Sequence, residues 1–362
     1  MRMAIGEALR LTLFGSSHGP VVGAVLEGLP AGTPVDLEAV QRELDRRRPI
    51  GRALATKRRE EDQLRVESGL VNGRTTGDPL VGVVENRDVR RGPYRELEDV
   101  PRPGHADFPA RMRYGEAFDL SGGGIFSGRM TVGLVFGGAV ARGLLSPQGI
   151  DVLAFTRSLG GVDASAASLE RRLPELRADV LSHEVGCPDL SASKRMSEAI
   201  ERARKDGDSV GGVIEVRAEG LPVGVGEPFF DSVESTLAHA LFSVPAVKGV
   251  EFGAGFTAAR MRGSEHNDPF FVEDGRVRSR TNHAGGILGG LTTGMPLVAR
   301  VVVKPTSSIA KEQESVSLST KSSRRLVVKG RHDPCIVPRA VPVVENLTAF
   351  VLADLMARGG FL

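Results

Sequence analysis

Ile214-Glu215-Val216-Arg217-Ala218-Glu219 decides the class of fold. Apolar and charged residues alternate there with a period of two, so Ile214, Val216 and Ala218 share one face of a strand and the charged residues share the other. The next segment changes period. From Asp231 to Phe242, Val233, Leu237 and Leu241 align on one side of a helix. Toward the amino terminus, Ser191 to Lys205 repeats helical spacing through Met196, Ile200 and Ala203 until Gly207 follows its end. Earlier still, Asp36 opens a helix carrying Leu37, Val40 and Leu44, which Pro49 closes, and Leu9 to Phe14 reads as a strand entering a Gly-Ser loop. Toward the carboxyl terminus, Leu297 to Val303 is nearly all apolar and β-branched, which predicts a strand covered on both faces. Val344, Leu347, Val351 and Leu355 mark a last helix from about Pro342 to Arg358, with Gly359 ending it. Strands and helices interleave, so the class is α/β or α+β. With no repeat, low-complexity tract or linker, one integrated domain over residues 1–362 is expected. Ser307 to Ser323 is polar and reads as a mobile loop over a site.

The composition, 41% hydrophobic and 25% charged, is that of a soluble globular protein. A net charge of +2 gives no pull toward nucleic acid or a membrane surface. Tryptophan is absent and tyrosine occurs twice, which argues against a stacking platform for single-stranded nucleic acid. Cys187 and Cys335 form neither a disulfide framework nor a zinc spacing, and no metal site is expected. The first residues lack a signal-peptide core, and no apolar run approaches the ~20 residues of a membrane helix. A cytoplasmic protein without nucleic-acid or membrane partners is the expectation.

Chemistry concentrates in separate polar segments. Gly330-Arg331-His332-Asp333-Pro334-Cys335 sets a fixed cation, a titratable ring and a carboxylate side by side on stiffened backbone. That mixture suits a site that grips an anion and moves a proton. Phe14-Gly15-Ser16-Ser17-His18-Gly19 and Arg102-Pro103-Gly104-His105-Ala106-Asp107 each present a loop histidine, the side chain that titrates near neutral pH. A basic run from Arg42 to Arg59 includes Arg47 and Arg52, but Glu60, Glu61 and Asp62 follow it, which is a poor pattern for nucleic acid. Ser121-Gly122-Gly123-Gly124, followed by Ile125, Phe126, Ser127 and Arg129, offers bare backbone N–H groups to an anion. It is neither a Walker loop nor a dinucleotide fingerprint. Asn282 to Gly290 and Lys304-Pro305-Thr306-Ser307-Ser308 complete what reads as a cradle for a phosphate-bearing cofactor.

In this order the segments resemble the chorismate synthase family over nearly the whole chain. The run Lys329 to Cys335, continuing through Arg339-Ala340-Val341-Pro342 to Glu345, is the most specific part. Arg46-Arg47-Arg48-Pro49, Arg102 to Asp107, Gly207 to Gly211, Ala246 to Glu251, Asn282 to Gly290 and Lys304 to Ser308 support it. The resemblance implies a β-α-β sandwich core, a homotetramer, and 1,4-anti elimination of phosphate from 5-enolpyruvylshikimate 3-phosphate to give chorismate. It also implies reduced FMN, supplied by an external reductant or by NADPH. By resemblance, Ser17, Arg47, Arg52, Arg102, Ser127, Arg129 and Arg331 meet the substrate. Ile125, Phe126, Ser127, Pro245, Ala246, Gly289, Lys304, Pro305, Thr306, Ser307, Ser308 and Arg331 meet the flavin. His105 helps protonate flavin, His18 the departing phosphate, and Asp333 aids proton removal through flavin N5. The chain departs from the family at Ser16, where glutamate is usual, at Ile125 and Phe126, where Arg-Ser is usual, and at Pro245, where asparagine is usual. A flavin-binding relative without elimination activity is the alternative.

Overall fold

The computed structural model describes residues 3–48, 61–87, 97, 99–328 and 332–362. Two five-stranded sheets frame the molecule. The first is built from β1 (Ala4–Ile5), β2 (Arg10–Gly15), β3 (Val21–Glu27), β4 (Arg65–Ser68) and β5 (Leu80–Glu85), in spatial order β1-β2-β3-β5-β4. The second comprises β6 (Asp151–Leu159), β7 (Val162–Asp163), β8 (Gly212–Glu219), β9 (Val247–Phe252) and β10 (Leu297–Val303), in order β9-β10-β8-β6-β7. Neighbouring strands within both sheets are antiparallel. Of the two expected classes, that is α+β.

Helices fill the space between the sheets. The named helices are α1 (Leu37–Arg47), α2 (Asp107–Tyr114), α3 (Thr131–Leu145), α4 (Leu190–Lys205), α5 (Val233–Ser243) and α6 (Val337–Arg358). Helix α3 lies on β2, β3 and β5, α6 lies on β6 and β8, and the two helices pack on each other. The result is a β-α-β sandwich. A helix covered on both sides has no wet face, so its sequence is apolar nearly all round. In α6 almost every side chain from Val337 to Met356 is buried. This explains why Gly128–Gln148 and Val337–Arg358 are long and apolar enough to cross a membrane, against the sequence expectation. Gly138 permits the contact between α3 and α6, because a Cβ there would fall 2.0 Å from the Asn346 carbonyl oxygen.

Charge also locks the helical layer. Glu345 on α6 has no exposed surface. Its carboxylate accepts from Arg46 at 2.9 and 3.1 Å, from Arg142 at 2.5 Å and from the Ala154 N–H at 2.9 Å. Burial opposes its ionisation, but Arg46, Arg142 and Arg177 hold its pKa down to about 2. Arg46 adjoins Arg47, so this lock also seats a cation of the site described below.

Several boundaries differ from the sequence expectation. Helix α6 starts at Val337, not near Pro342. Pro338 sits in its first turn, where a missing N–H is harmless. Pro342 lies inside the helix, and its carbonyl accepts from Asn346 Nδ2 at 2.8 Å. Helix α5 starts at Val233 because Ser232 Oγ accepts from the Ser235 N–H at 3.0 Å, which leaves Asp231 outside. Strand β10 is not covered on both faces. Leu297, Ala299, Val301 and Val303 are buried, whereas Val302 is 44% exposed and Arg300 pairs with Glu251 at 2.5 Å. Residues 307–323 are not a free loop either. They lead into a hairpin of β11 (Gln313–Ser317) and β12 (Ser322–Leu326), where Ser317 Oγ donates to Asp99 at 2.7 Å and the Ser319 N–H donates at 2.8 Å.

Candidate active site

The glycine segment folds as a left-handed turn rather than a helix entrance. Gly122, Gly123 and Gly124 have φ of 62°, 88° and 54°, a region closed to most side chains. Space demands glycine as well. A Cβ on Gly122 would lie 2.0 Å from His18 Cε1, and one on Gly123 would lie 3.1 Å from His105 Cε1. Two histidines distant in sequence therefore pack against adjacent glycines. His18 is buried, and its Nδ1 lies 3.1 Å from Ser17 Oγ. The Ser17 N–H donates to the Gly124 carbonyl at 3.2 Å, which ties the first loop to the turn.

The second histidine is held by its own turn. Arg102 closes its fork on Asp107, with Nε donating to Oδ2 at 2.7 Å and Nη2 to Oδ1 at 2.8 Å. His105 Nδ1 lies 2.9 Å from the same Oδ1. Burial disfavours the Asp107 charge, yet the bonds from Arg102 and His105 keep its pKa far below the ordinary carboxylate range. The segment after β10 clasps this turn. Lys304 Nζ and Ser307 Oγ both donate to the Gly104 carbonyl, at 2.9 and 2.7 Å, and Arg102 Nη1 reaches Ser308 Oγ at 3.4 Å. Lys304 has a lowered pKa, through burial first and the charge of Lys248 second. The Lys304 N–H donates to the Ala246 carbonyl at 2.9 Å, and Ala246 adopts φ 75°, an uncommon conformation for alanine.

Aspartates organise the arginines. Arg47 Nη2 and Arg129 Nη1 donate to the two oxygens of Asp62, whose side chain is fully buried. Arg129 is fixed further by Asn86 Oδ1 at 2.8 Å and the Glu85 carbonyl at 3.1 Å. Burial, with the like charges of Arg339 and Arg129, pushes the Arg47 pKa down to about 10 against the pull of Asp62. Burial alone would raise the Asp62 pKa, but the two guanidiniums lower it. Arg339 on α6 donates from Nη1 to Asp333 and from Nε to the Arg47 carbonyl at 3.1 Å.

These groups border one cleft of ≈ 790 Å³. Of the residues singled out in the sequence, His105, Arg47, Arg129 and Asp333 line it. So do Ile125, Phe126 and Ser127, Pro245 and Ala246, and the whole run Lys304 to Ser308. Ser17 and His18 sit behind Gly122, and Arg102 sits behind His105 and Ser308, so none of the three lines the cleft. Gly289 lies in the tight turn between Leu288 and Leu291, away from the lining. Arg52 and Arg331 lie outside the described residues. Sequence reasoning missed Asp62, Arg339, Lys248 and His239. Asp62 had a signal, an acid directly after a basic run, and Arg339 stood in the family-specific segment. Lys248 likewise stood in the Ala246 to Glu251 segment, and nothing local marked His239.

Among the described residues, five fixed cations, Arg47, Arg129, Lys248, Lys304 and Arg339, and one carboxylate, Asp333, line the cleft. Apolar side chains, among them Leu11, Leu13, Leu134 and Val343, share the wall with hydroxyl-bearing Ser127, Thr306, Ser307 and Ser308. Phe126 adds an aromatic surface, 6.1 Å from Phe118 and 6.4 Å from Tyr114 between ring centroids. With cations, hydroxyls and apolar surface in one lining, the cleft has the chemistry to hold a phosphate-bearing ring system beside a small polyanion. Fold and site thus define an α+β protein whose distant segments gather cations, a carboxylate and imidazoles into one cleft, the make-up of an enzyme for anionic substrates. Residues 9–357 match the family model of chorismate synthase. The chain is 51% identical to the chorismate synthase of Korarchaeum cryptofilum, over 98% of this chain and 97% of the relative. It is 47% identical to that of Dehalococcoides mccartyi, over 100% and 98%. A crystal structure of chorismate synthase superposes with a TM-score of 0.76 at 29% identity, covering 98% of this chain and 93% of the other. The chain belongs to the chorismate synthase family. Its function is chorismate formation, which makes it a lyase of aromatic amino-acid biosynthesis.

Proposed function

We propose that the protein eliminates phosphate from 5-enolpyruvylshikimate 3-phosphate in the anti-1,4 sense, as a carbon–oxygen lyase using reduced FMN. The observation that carries this reading is the meeting of His105, Asp333 and a row of guanidiniums in one cleft, with His18 packed behind the same glycine turn. The substrate has a phosphate and two carboxylates, and Arg47, Arg129 and Arg339 supply forks suited to them. Their carboxylate partners fix them before substrate arrives, and preorganised charge of this kind stabilises a leaving dianion. Losing one such group typically costs about 10²–10³ in rate. Asp333, oriented by Arg339, is the lining carboxylate among the described residues able to take up the proton lost from C6. His105 and His239 are the imidazoles that line the cleft among the described residues, and His105 is the one beside the glycine turn. His18, sealed behind Gly122, is assigned to the departing phosphate through Ser17 and the turn.

The residues present fit FMN. Lys304 with Ser307 would hold its phosphate, and Ile125, Phe126, Pro245 and Ala246 would border its ring. When bound and reduced, the flavin supplies electron density that weakens the C3–O bond, in a reaction with no net redox change. We further propose a single integrated domain, a cytoplasmic location, a homotetramer, and a reductant that is either external or NADPH. Anaerobic incubation with reduced FMN and the enolpyruvyl substrate should release chorismate and phosphate in equal amounts. Neither product at any flavin concentration would overturn the reading.

A further inference from the structure

We propose that Asp107 is a positioning residue that fixes His105 in the Nδ1–H tautomer, leaving Nε2 bare to take a proton. The inference rests on the reading of His105 as the proton-transfer group of the cleft. Nδ1 of that ring faces two groups at once, Asp107 Oδ1 at 2.9 Å and Arg102 Nη2 at 3.2 Å. The carboxylate is an acceptor and calls for a proton on Nδ1. The guanidinium is a donor and calls for a bare Nδ1. The two neutral tautomers are therefore both satisfied at this edge, and the stronger partner selects between them. The carboxylate is closer, charged and buried, and Arg102 already spends Nε and Nη2 on it. A charge-assisted bond to a buried carboxylate outweighs one stretched bond from a guanidinium otherwise engaged.

The opposite edge of the ring points at Gly123, with Cε1 3.1 Å and Nε2 3.5 Å from where a Cβ would be. Gly123, which has no side chain, lies on that side, and His105 lines the cleft. Among the described residues, the charged groups tied to this ring or its turn are Arg102 and Asp107 and Lys304, whose Nζ binds the Gly104 carbonyl. With Nδ1–H anchored, Nε2 can accept a proton and release it while the Asp107 bond persists in both protonation states. The hydrogen bond at one ring nitrogen sets what the other can do.

Replacing Asp107 with asparagine inverts the selection. An amide has one acceptor oxygen, which the Arg102 fork retains, so its NH₂ and Arg102 Nη2 both present donors to Nδ1. The ring should move to Nε2–H, which cannot take up a proton. The test is long-range ¹H–¹⁵N correlation on ¹⁵N-histidine-labelled protein, with His105→Gln used to assign the signal. Wild type should show Nδ1–H, D107N should show Nε2–H, and R102K, which keeps the carboxylate, should retain Nδ1–H. In D107N, kcat should drop by about 10²–10⁴ with KM nearly unchanged. An Nε2–H tautomer in wild type, or the same tautomer in D107N as in wild type, would overturn the proposal. So would a switch in R102K. The wild-type spectrum decides without any variant having to fold. Failure of chorismate formation in protein with the expected spectrum would sink the functional reading and leave this assignment standing.

Discussion

Glu345→Gln removes one charge and almost no volume from the junction of α1, α3 and α6. The carboxylate has no exposed surface and faces Arg46, Arg142 and Arg177. Against burial, these guanidiniums hold its pKa at about 2, below an ordinary value of 4.5. At ~1.36 kcal/mol per pH unit, that gap is worth roughly 3 kcal/mol of stability. Because the folded value is the lower one, the contribution is complete above about pH 4.5 and is lost as pH falls toward 2. Glutamine can still accept the Ala154 N–H but leaves the guanidiniums facing a neutral amide. Breaking a buried ion pair this way typically costs about 3–5 kcal/mol, in line with the first figure. Unfolding entropy near ~2.1 cal/mol/K per residue gives ~0.76 kcal/mol/K for a chain of 362 residues, so Tm should fall by about 4–7 °C. Calorimetry at neutral pH measures the drop. Repeating it from pH 5 to pH 3 should show a flatter acid limb in the variant. A Tm within about 1 °C of wild type, with an unchanged acid limb, would refute the claim that this lock is stabilising.

Three substitutions probe the cleft. His105→Ala should lower kcat by about 10²–10⁴ while altering substrate affinity little, and equal losses in both would show a binding role instead. Gly122→Ala should drive a methyl group into the His18 ring at a backbone φ of 62° and cut kcat about 100-fold with circular dichroism preserved. Unchanged turnover there would show that the His18 ring need not stay where it is. Lys304→Ala removes a cation and its bonds to Gly104 and Ser307. Reduced-FMN affinity should weaken by roughly 10- to 100-fold in anaerobic titration, the scale of one charge-assisted hydrogen bond, and an unaltered Kd would place the flavin phosphate elsewhere.

Local chemistry made much of the fold legible in the sequence. Asp36 reads as a helix start, and its carboxylate does accept the Ala39 N–H at 2.9 Å. The alternation from Ile214 to Glu219 becomes β8 with Ile214, Val216 and Ala218 buried as expected, but Glu215 on the charged face is buried too, paired with Arg157 and Arg217. What failed was whatever depended on distant packing. Pro342 looked like a helix start because its cost inside a helix is local, whereas the burial that outweighs it is tertiary. Val302 looked buried because composition reports apolarity, not which face of an antiparallel sheet is covered. Residues 307–323 looked loose because their ties run to Asp99, far away in sequence. At the site, histidines, glycines and arginines announced themselves by type. Their pairing did not. That Asp62 would bridge Arg47 and Arg129, or that Arg102 would close on Asp107 behind the cleft wall, required the folded chain.

The central claim is that this cleft uses a reduced flavin to expel phosphate while the flavin ends as it began. Anaerobic stopped-flow turnover with FMN well below the substrate concentration tests that most directly, following chorismate, phosphate and flavin oxidation state together. The account predicts many chorismates per flavin, one phosphate for each, and a flavin still reduced at the end. Product limited to one equivalent per flavin, or flavin oxidised in step with product, would contradict it.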